Sequence, residues 1–86
     1  MNVEFHYKSL SEVDFYVPSW LTCYEIMLDD ARRARRAMTA EVLIEGRLSY
    51  WLTVTTSGGV IRMYKTKDEE GNNETEPVLQ VPGQDE

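Results

Sequence analysis

Residues 19–38, SWLTCYEIMLDDARRARRAM, form the stretch on which the predicted fold depends. Apolar side chains recur there at the spacing of an amphipathic helix that buries one face. A Ser19 N-cap after Pro18 favours a start at this point, while Thr22 with Glu25 offers a second, capping-box start. We therefore predict one central helix packed on a sheet, with a buried stripe of Trp20, Tyr24, Met27, Leu28, Ala31, Ala34 and Met38, and Leu21 on its edge.

Four arginines lie near the end of this helix, after Asp29 and Asp30: Arg32, Arg33, Arg35 and Arg36. The simpler interpretation is a solvated face in which the arginines pair with Glu25 and Asp29 and complement the helix dipole. The alternative is a site for phosphate or for an acidic partner. Arg35 favours the alternative, because its angle on the helix places it within the apolar stripe, where it must reach past the sheet edge or meet an anion.

The segments before the helix alternate between apolar and polar residues, which indicates half-buried strands. Residues 2–7 place Val3, Phe5 and Tyr7 on one side. Residues 13–17 alternate again until Pro18, and predict either a second short strand or an extended lead into the helix.

After the helix, residues 41–66 predict a three-stranded meander. A three-residue loop around Gly46 keeps Val42 and Ile44 on the face of Leu48 and Tyr50. A two-residue turn within residues 57–59 brings Leu52 and Val54 together with Ile61 and Met63 on that face. A three-residue turn at Ser57 to Gly59 would instead move each residue of the last strand to the opposite face. On the two-residue turn, the helix side of the last two strands consists of Leu48, Tyr50, Leu52, Val54, Ile61 and Met63.

The predicted fold class is α+β, with one amphipathic helix on one face of a small, mainly antiparallel sheet in the order β(β)αβββ. Residues 1–66 carry eight basic and eight acidic side chains, so the whole net charge of −6 comes from residues 67–86. We assign residues 1–66 to a single domain and residues 67–86 to a flexible acidic tail, with a short docked strand near 77–82. The acids proposed to act in the tail are Asp68, Glu69, Glu70, Glu74 and Glu76.

The sheet face away from the helix is the first candidate site. In the predicted register it carries Trp51, Arg62 and Tyr64, and aromatic residues with arginine are typical of protein-binding hot spots. The alternatives are that these residues form cross-strand pairs that only stabilise the sheet, or that Trp51 lies under the N-terminal segment.

The sequence shows no set of residues typical of an enzyme, a metal site or a cofactor site. The single histidine, His6, has no nucleophile near it in sequence, and the single cysteine, Cys23, is expected to be a small buried hydrophobe. We therefore expect no catalysis, no metal and no cofactor. The apolar runs are too short for a membrane span, and we expect a cytoplasmic protein that does not bind membranes.

The function that these features favour is a non-enzymatic protein-binding module, an inhibitor or adaptor, acting through the open sheet face or the acidic tail. A homodimer formed through the same face is a variant of this hypothesis. Small size, a neutral α+β core and an acidic tail resemble, in composition only, accessory proteins of phages and mobile elements that block a host protein. The less favoured alternative is a nucleic-acid-associated protein or toxin-like ribonuclease whose arginines contact phosphates while Trp51 or Tyr64 stacks a base.

Overall fold

The alternating segments form antiparallel strands around one helix in the computed structural model, which describes residues 2–67 and 73–80 and the side chains of residues 2–64. The elements are β1 Val3–Lys8, β2 Asp14–Val17, α1 Trp20–Ala34, β3 Met38–Ile44, β4 Arg47–Val54, β5 Val60–Lys67 and β6 Asn73–Gln80. The strands lie in the order β2-β1-β3-β4-β5, and β6 pairs with β5. All neighbouring strands are antiparallel, which confirms the predicted fold class.

Helix α1 begins at the predicted cap and ends earlier than predicted. The Ser19 side chain accepts a hydrogen bond from the Thr22 backbone N–H at 3.3 Å. At the other end Arg35 adopts a left-handed conformation, with φ 59° and ψ 38°, and its N–H donates to the Ala31 carbonyl. A left-handed residue terminates an α-helix. The predicted extension to Met38 is therefore wrong, and Met38 instead begins β3, where it pairs with Val54.

The core lies between α1 and strands β1 to β4. Its helix residues are rotated from the predicted stripe, because Cys23 is fully buried and Leu21 is 61% exposed. The expectation that Cys23 is a small buried hydrophobe is confirmed. The buried apolar residues are Phe5, Tyr7, Cys23, Met27, Ala31, Met38, Ala40, Val42, Leu52, Val54 and Val60.

The β3–β4 hairpin has a two-residue turn, not the three-residue loop predicted. Glu45 and Gly46 both have positive φ, 53° and 79°, and such a turn would place Val42 opposite Ser49. A bulge at Ser49 adds one unpaired residue to β4 and compensates for the shorter turn, so Val42 pairs with Tyr50 instead. Beyond the bulge, Leu48 pairs with Leu43 on the face opposite Leu52, which corrects the predicted position of Leu48.

The β4–β5 hairpin has a three-residue loop, residues 56–58, which begins one residue earlier than the alternative predicted at Ser57 to Gly59 and reverses the last strand in the same way. The Thr55 N–H donates to the Gly59 carbonyl at 2.9 Å, and Val54 pairs with Val60. Gly58 has φ +94° and its carbonyl accepts a 2.8 Å bond from the Tyr24 hydroxyl of α1. The predicted two-residue turn is wrong, and residues 60–64 of β5 therefore face the side of the sheet opposite to the one predicted.

Replacing Gly58 by alanine is expected to destabilise the fold by about 2–4 kcal/mol, from left-handed strain and loss of the Tyr24 bond. A Cβ at Gly58 would lie 3.0 Å from the Tyr24 hydroxyl. Gly46→Ala is the matched control, since Gly46 has φ +79° with nothing within 4 Å of its Cβ, and should lose about 1–2 kcal/mol. Urea unfolding measures both variants. Equal losses would contradict the role of the Tyr24 contact.

The predicted tail is only partly described. Residues 68–72 and 81–86 lie outside the described residues, and with them the proposed roles of Asp68, Glu69 and Glu70. The backbone of Glu74 and Glu76 belongs to β6 and pairs with Thr66 and Tyr64 of β5. The acidic tail stays a prediction.

Candidate functional site

The face of the sheet opposite α1, here called the open face, carries an apolar strip on β4 and β5. Trp51 pairs with Met63, and Thr53 pairs with Ile61, so the strand register brings these side chains together. Trp51, Ile61 and Met63 are each half-buried. Within residues 2–67 and 73–80, no helix or strand lies over them.

Two leucines extend the apolar strip along β3 and β4. The bulge at Ser49 places Leu48 opposite Leu43, and both are half-buried on the open face. Beside the strip, the Thr39 and Thr53 hydroxyls are 2.7 Å apart. The apolar strip therefore consists of Leu43, Leu48, Trp51, Ile61 and Met63.

Charged residues surround His6 on the other half of the open face. The His6 ring stacks on Tyr16 with ring centroids 4.1 Å apart and an interplanar angle of 9°. Its Nδ1 lies 3.1 Å from a Glu41 carboxylate oxygen, and its Nε2 lies 3.6 Å from an Asp14 oxygen. Glu4 pairs with Leu43 on the same face. We call Glu4, Asp14 and Glu41 the acidic corner.

The prediction that Trp51, Arg62 and Tyr64 share one face is wrong. Arg62 pairs with buried Leu52, and Tyr64 pairs with Tyr50, so both lie on the helix side. The Arg62 guanidinium carbon is 4.6 Å from the Tyr50 ring centroid and 5.3 Å from that of Tyr64, and Arg62 donates a hydrogen bond to the Tyr64 hydroxyl. The three side chains form a cation–π cluster on the side of the sheet opposite Trp51.

The arginines near the end of α1 do not form one helical face. Arg32 and Arg33 lie in its last turn, while Arg35 is the C-cap and Arg36 follows it. The guanidinium of Arg33 lies 2.9 Å from the Asp29 carboxylate, as in the predicted solvated face. The position predicted for Arg35 within the apolar stripe is wrong, because the helix ends before it.

Arg36 lines a cavity of about 400 Å³ between the β1–β2 connection and the start of β3. Lys8 and Glu12 also line this cavity, and their charged groups are 3.5 Å apart. A two-charge surface pair of this kind contributes little to stability. Of the four arginines, only Arg36 lines this cavity, and none of the residues of the apolar strip does.

Asp30 is the residue that the sequence interpretation missed. It is 6% exposed, and its Oδ2 accepts hydrogen bonds from the Tyr7 hydroxyl at 2.7 Å and the Leu10 N–H at 3.0 Å. The sequence feature that indicates its burial is its position three residues after Met27, which places Asp30 on the buried face of α1. Asp30 connects the helix to β1 and to the β1–β2 connection, and thereby positions β2.

The described residues bring no nucleophile to His6, whose contacts are Tyr16, Glu41 and Asp14. Burial raises the pKa of the Cys23 thiol to about 12, so the thiol stays protonated and is a poor nucleophile. Burial, and then the hydrogen bond to Asp30, raise the pKa of Tyr7 above its usual value. Among the described residues, no group of three His, Cys, Asp or Glu side chains could hold a metal ion.

Both raised pKa values predict that the protein loses stability in alkali. The unfolded chain releases these protons first, at the usual values of 9.0 for cysteine and 10.0 for tyrosine. The loss from Cys23 should therefore begin near pH 9 and continue to about pH 12, with a slope of at most about 1.4 kcal/mol per pH unit per group. Urea unfolding from about pH 8 to about pH 11 measures this slope.

Cys23→Ala is the control for this alkaline effect. It removes one titrating group, so the number of protons that unfolding releases between about pH 10 and about pH 11 should fall by close to one, which makes the slope shallower by about 1.4 kcal/mol per pH unit. An unchanged slope would show that Cys23 does not contribute.

Within the described ranges, no helix has the length and apolarity that a membrane span requires. When the chain is compared with protein-family models, with curated proteins and with solved structures, nothing matches.

Proposed function

We propose that this protein is a non-enzymatic protein-binding module that docks on its partner with the open face of its sheet. The observation that carries this proposal is the apolar strip around Trp51, Ile61 and Met63, over which no element of the described chain packs. Aromatic and methionine side chains grouped on an accessible face are typical of interface centres.

The loop geometry of the two hairpins strengthens this proposal relative to the sequence prediction. The three-residue loop moves Ile61 and Met63 to the open face, and the Ser49 bulge moves Leu48 there. In an antiparallel sheet with one face covered by a helix and the other exposed to water, the residues on the exposed face are usually polar. Five apolar side chains on the other face are therefore better explained by a partner.

An inhibitor or adaptor that acts on another protein is the form of this function that the chain's composition favours. The alternative of nucleic-acid binding is less well supported. Trp51 lies on the side of the sheet opposite Arg32 and Arg33, so one nucleic-acid strand would have to pass around the sheet edge to reach both. Tyr64 lies on the helix side, but its ring packs against Tyr50 and its hydroxyl accepts a hydrogen bond from Arg62.

The experiment that tests the proposal uses the full chain as bait, together with two glutamate variants. Met63→Glu introduces a charge into the apolar strip. Leu21→Glu introduces the same charge on the exposed side of α1, where Leu21 is 61% exposed. A protein retained by the wild type and by Leu21→Glu but not by Met63→Glu is the expected result. Equal retention by all three baits would contradict the proposal.

A further inference from the structure

The open face has two chemically different halves. The apolar strip occupies β4, β5 and the end of β3, whereas the acidic corner occupies β1, β2 and the middle of β3. The two halves meet where Glu41 pairs with Trp51. Any partner that covers Trp51 must therefore also approach a carboxylate.

Among the side chains of residues 2–64, the cations on this half of the open face are too few to neutralise the acidic corner. Lys8 pairs with Asp14 in the strand register, but its ammonium group lies 3.5 Å from Glu12 in the β1–β2 connection. His6 lies between Asp14 and Glu41, whose side chains remain 54% and 48% exposed. Three carboxylates thus oppose one lysine and one histidine on this half of the face.

A second copy of the chain fits this face poorly. Two identical sheets can pack face to face about a two-fold axis that runs along the strands or across them. An axis along the strands through the middle of the face places the acidic corner of each copy over the apolar strip of the other, and an axis across the strands places one acidic corner over the other. An axis along β4 would stack the two apolar strips, but it places Glu41 of each copy, which pairs with Trp51, over β5 of the other. Each arrangement desolvates at least one carboxylate per copy without supplying a cation from the described side chains, which is unfavourable.

A basic apolar partner satisfies both halves. Its apolar side chains would cover Trp51, Ile61 and Met63, while lysine or arginine side chains beside them would meet Glu4, Asp14 and Glu41. An amphipathic helix has this arrangement when its polar face is cationic. Nucleic acid and anionic membranes carry the same sign of charge as the acidic corner, which repels them.

We propose that the open face binds a cationic amphipathic segment of another protein, with its apolar residues on the Trp51–Met63 strip and its basic residues on the acidic corner. This inference rests on the proposed function and adds the chemistry of the partner. Because rim charges act mainly on association and its salt dependence, the affinity should fall as salt is added.

The test uses two synthetic helical peptides of about 18 residues, roughly five turns, with leucine at the same positions. One carries lysine at the polar positions and the other carries glutamate. Binding to the full-length protein is followed by fluorescence anisotropy of labelled peptide at low and high salt. The lysine peptide should bind, and the double variant Glu4→Gln/Glu41→Gln should weaken its binding by roughly two- to five-fold per carboxylate at low salt.

The acidic tail requires its own control, since it could attract any cationic peptide. Asp85→Asn/Glu86→Gln removes the same two charges from the tail, and should weaken binding less than the variant of the acidic corner. An equal effect of the two double variants, or no binding of the lysine peptide, would overturn the inference.

Two further outcomes separate this inference from the proposed function. If both peptides bind equally and Met63→Glu removes both, the charge complementarity is wrong while the open face remains a docking surface. If Met63→Glu changes the binding of neither peptide, the peptides do not dock on the open face and the inference is overturned, whereas the proposed function fails only if Met63→Glu also leaves the capture of a protein partner unchanged. A protein that is dimeric by light scattering, and that Met63→Glu makes monomeric, would show that a second copy is the occupant and would overturn the inference.

Discussion

Asp30→Ala is expected to lower the free energy of unfolding by about 3 kcal/mol or more. The carboxylate is 6% exposed and accepts hydrogen bonds from the Tyr7 hydroxyl and the Leu10 N–H. Alanine would leave both donors without this acceptor, and each buried unsatisfied donor costs about 1–3 kcal/mol. Urea unfolding at neutral pH measures the loss.

The chain offers a matched control at the preceding position. Asp29 is exposed and forms a surface ion pair with Arg33 one helical turn away. Asp29→Ala should cost no more than about 0.5 kcal/mol. Asp30→Asn, which keeps one acceptor oxygen, should fall between the two variants. If Asp30→Ala is no more destabilising than Asp29→Ala, the assigned role of Asp30 is wrong.

Trp51→Ser is expected to weaken binding of the captured partner by about 2 kcal/mol or more, which is roughly a 30-fold increase in Kd. The indole lies at the centre of the apolar strip, between Met63 and Glu41 in the strand register. Truncation of an aromatic residue at the centre of an interface removes contact area where water is fully excluded, and such residues contribute most of the binding free energy. Titration calorimetry with the purified partner measures the change.

The same substitution should have a much smaller effect on folding. Trp51 lies on the face away from the core, so its loss should destabilise the sheet by roughly 0.2–1 kcal/mol through cross-strand contacts. Leu21→Ser is the control for binding, because Leu21 lies on the exposed side of α1. A partner that binds Trp51→Ser as tightly as it binds the wild type would show that the apolar strip is not the interface.

The fold class could be predicted from the sequence because it depends on the spacing of apolar residues, which indicates a helix or a strand even when the ends of the element are misplaced. The three- to four-residue spacing of Tyr24, Met27 and Ala31 indicates a helix whichever residue ends it. The alternation of Val3, Phe5 and Tyr7 similarly indicates a strand that is buried on one side. Both conclusions are confirmed.

The faces of β4 and β5 could not be predicted in the same way, because each depends on a single residue. Strand residues alternate between faces, so a loop longer by one residue exchanges them. Ser57, Gly58 and Gly59 allow both a two-residue and a three-residue turn, and the bond from Tyr24 to the Gly58 carbonyl is a tertiary contact that local sequence does not show. The one-residue difference in loop length therefore places Ile61 and Met63 on the open face in place of Arg62 and Tyr64.

The end of α1 and the burial of Asp30 were missed for a related reason. Periodicity continues through Ala34 and Met38, but Met38 gains a strand partner in Val54 that the helical pattern does not contain. Asp30 appeared to belong with the arginines, yet Tyr7, a residue 23 positions away, provides its hydrogen bond. Partners that are distant in sequence decide both cases.

The two tryptophans provide the most direct test of the central claim that the open face binds a protein partner. Trp51 lies on the open face, whereas Trp20 lies on the helix side, with its ring centroid 5.5 Å from that of Phe5. Fluorine NMR of fluorotryptophan-labelled protein, titrated with the captured partner, reports both sites at once. We expect the Trp51 resonance to shift and the Trp20 resonance to remain in place. A shift of Trp20 with Trp51 unchanged would contradict the claim.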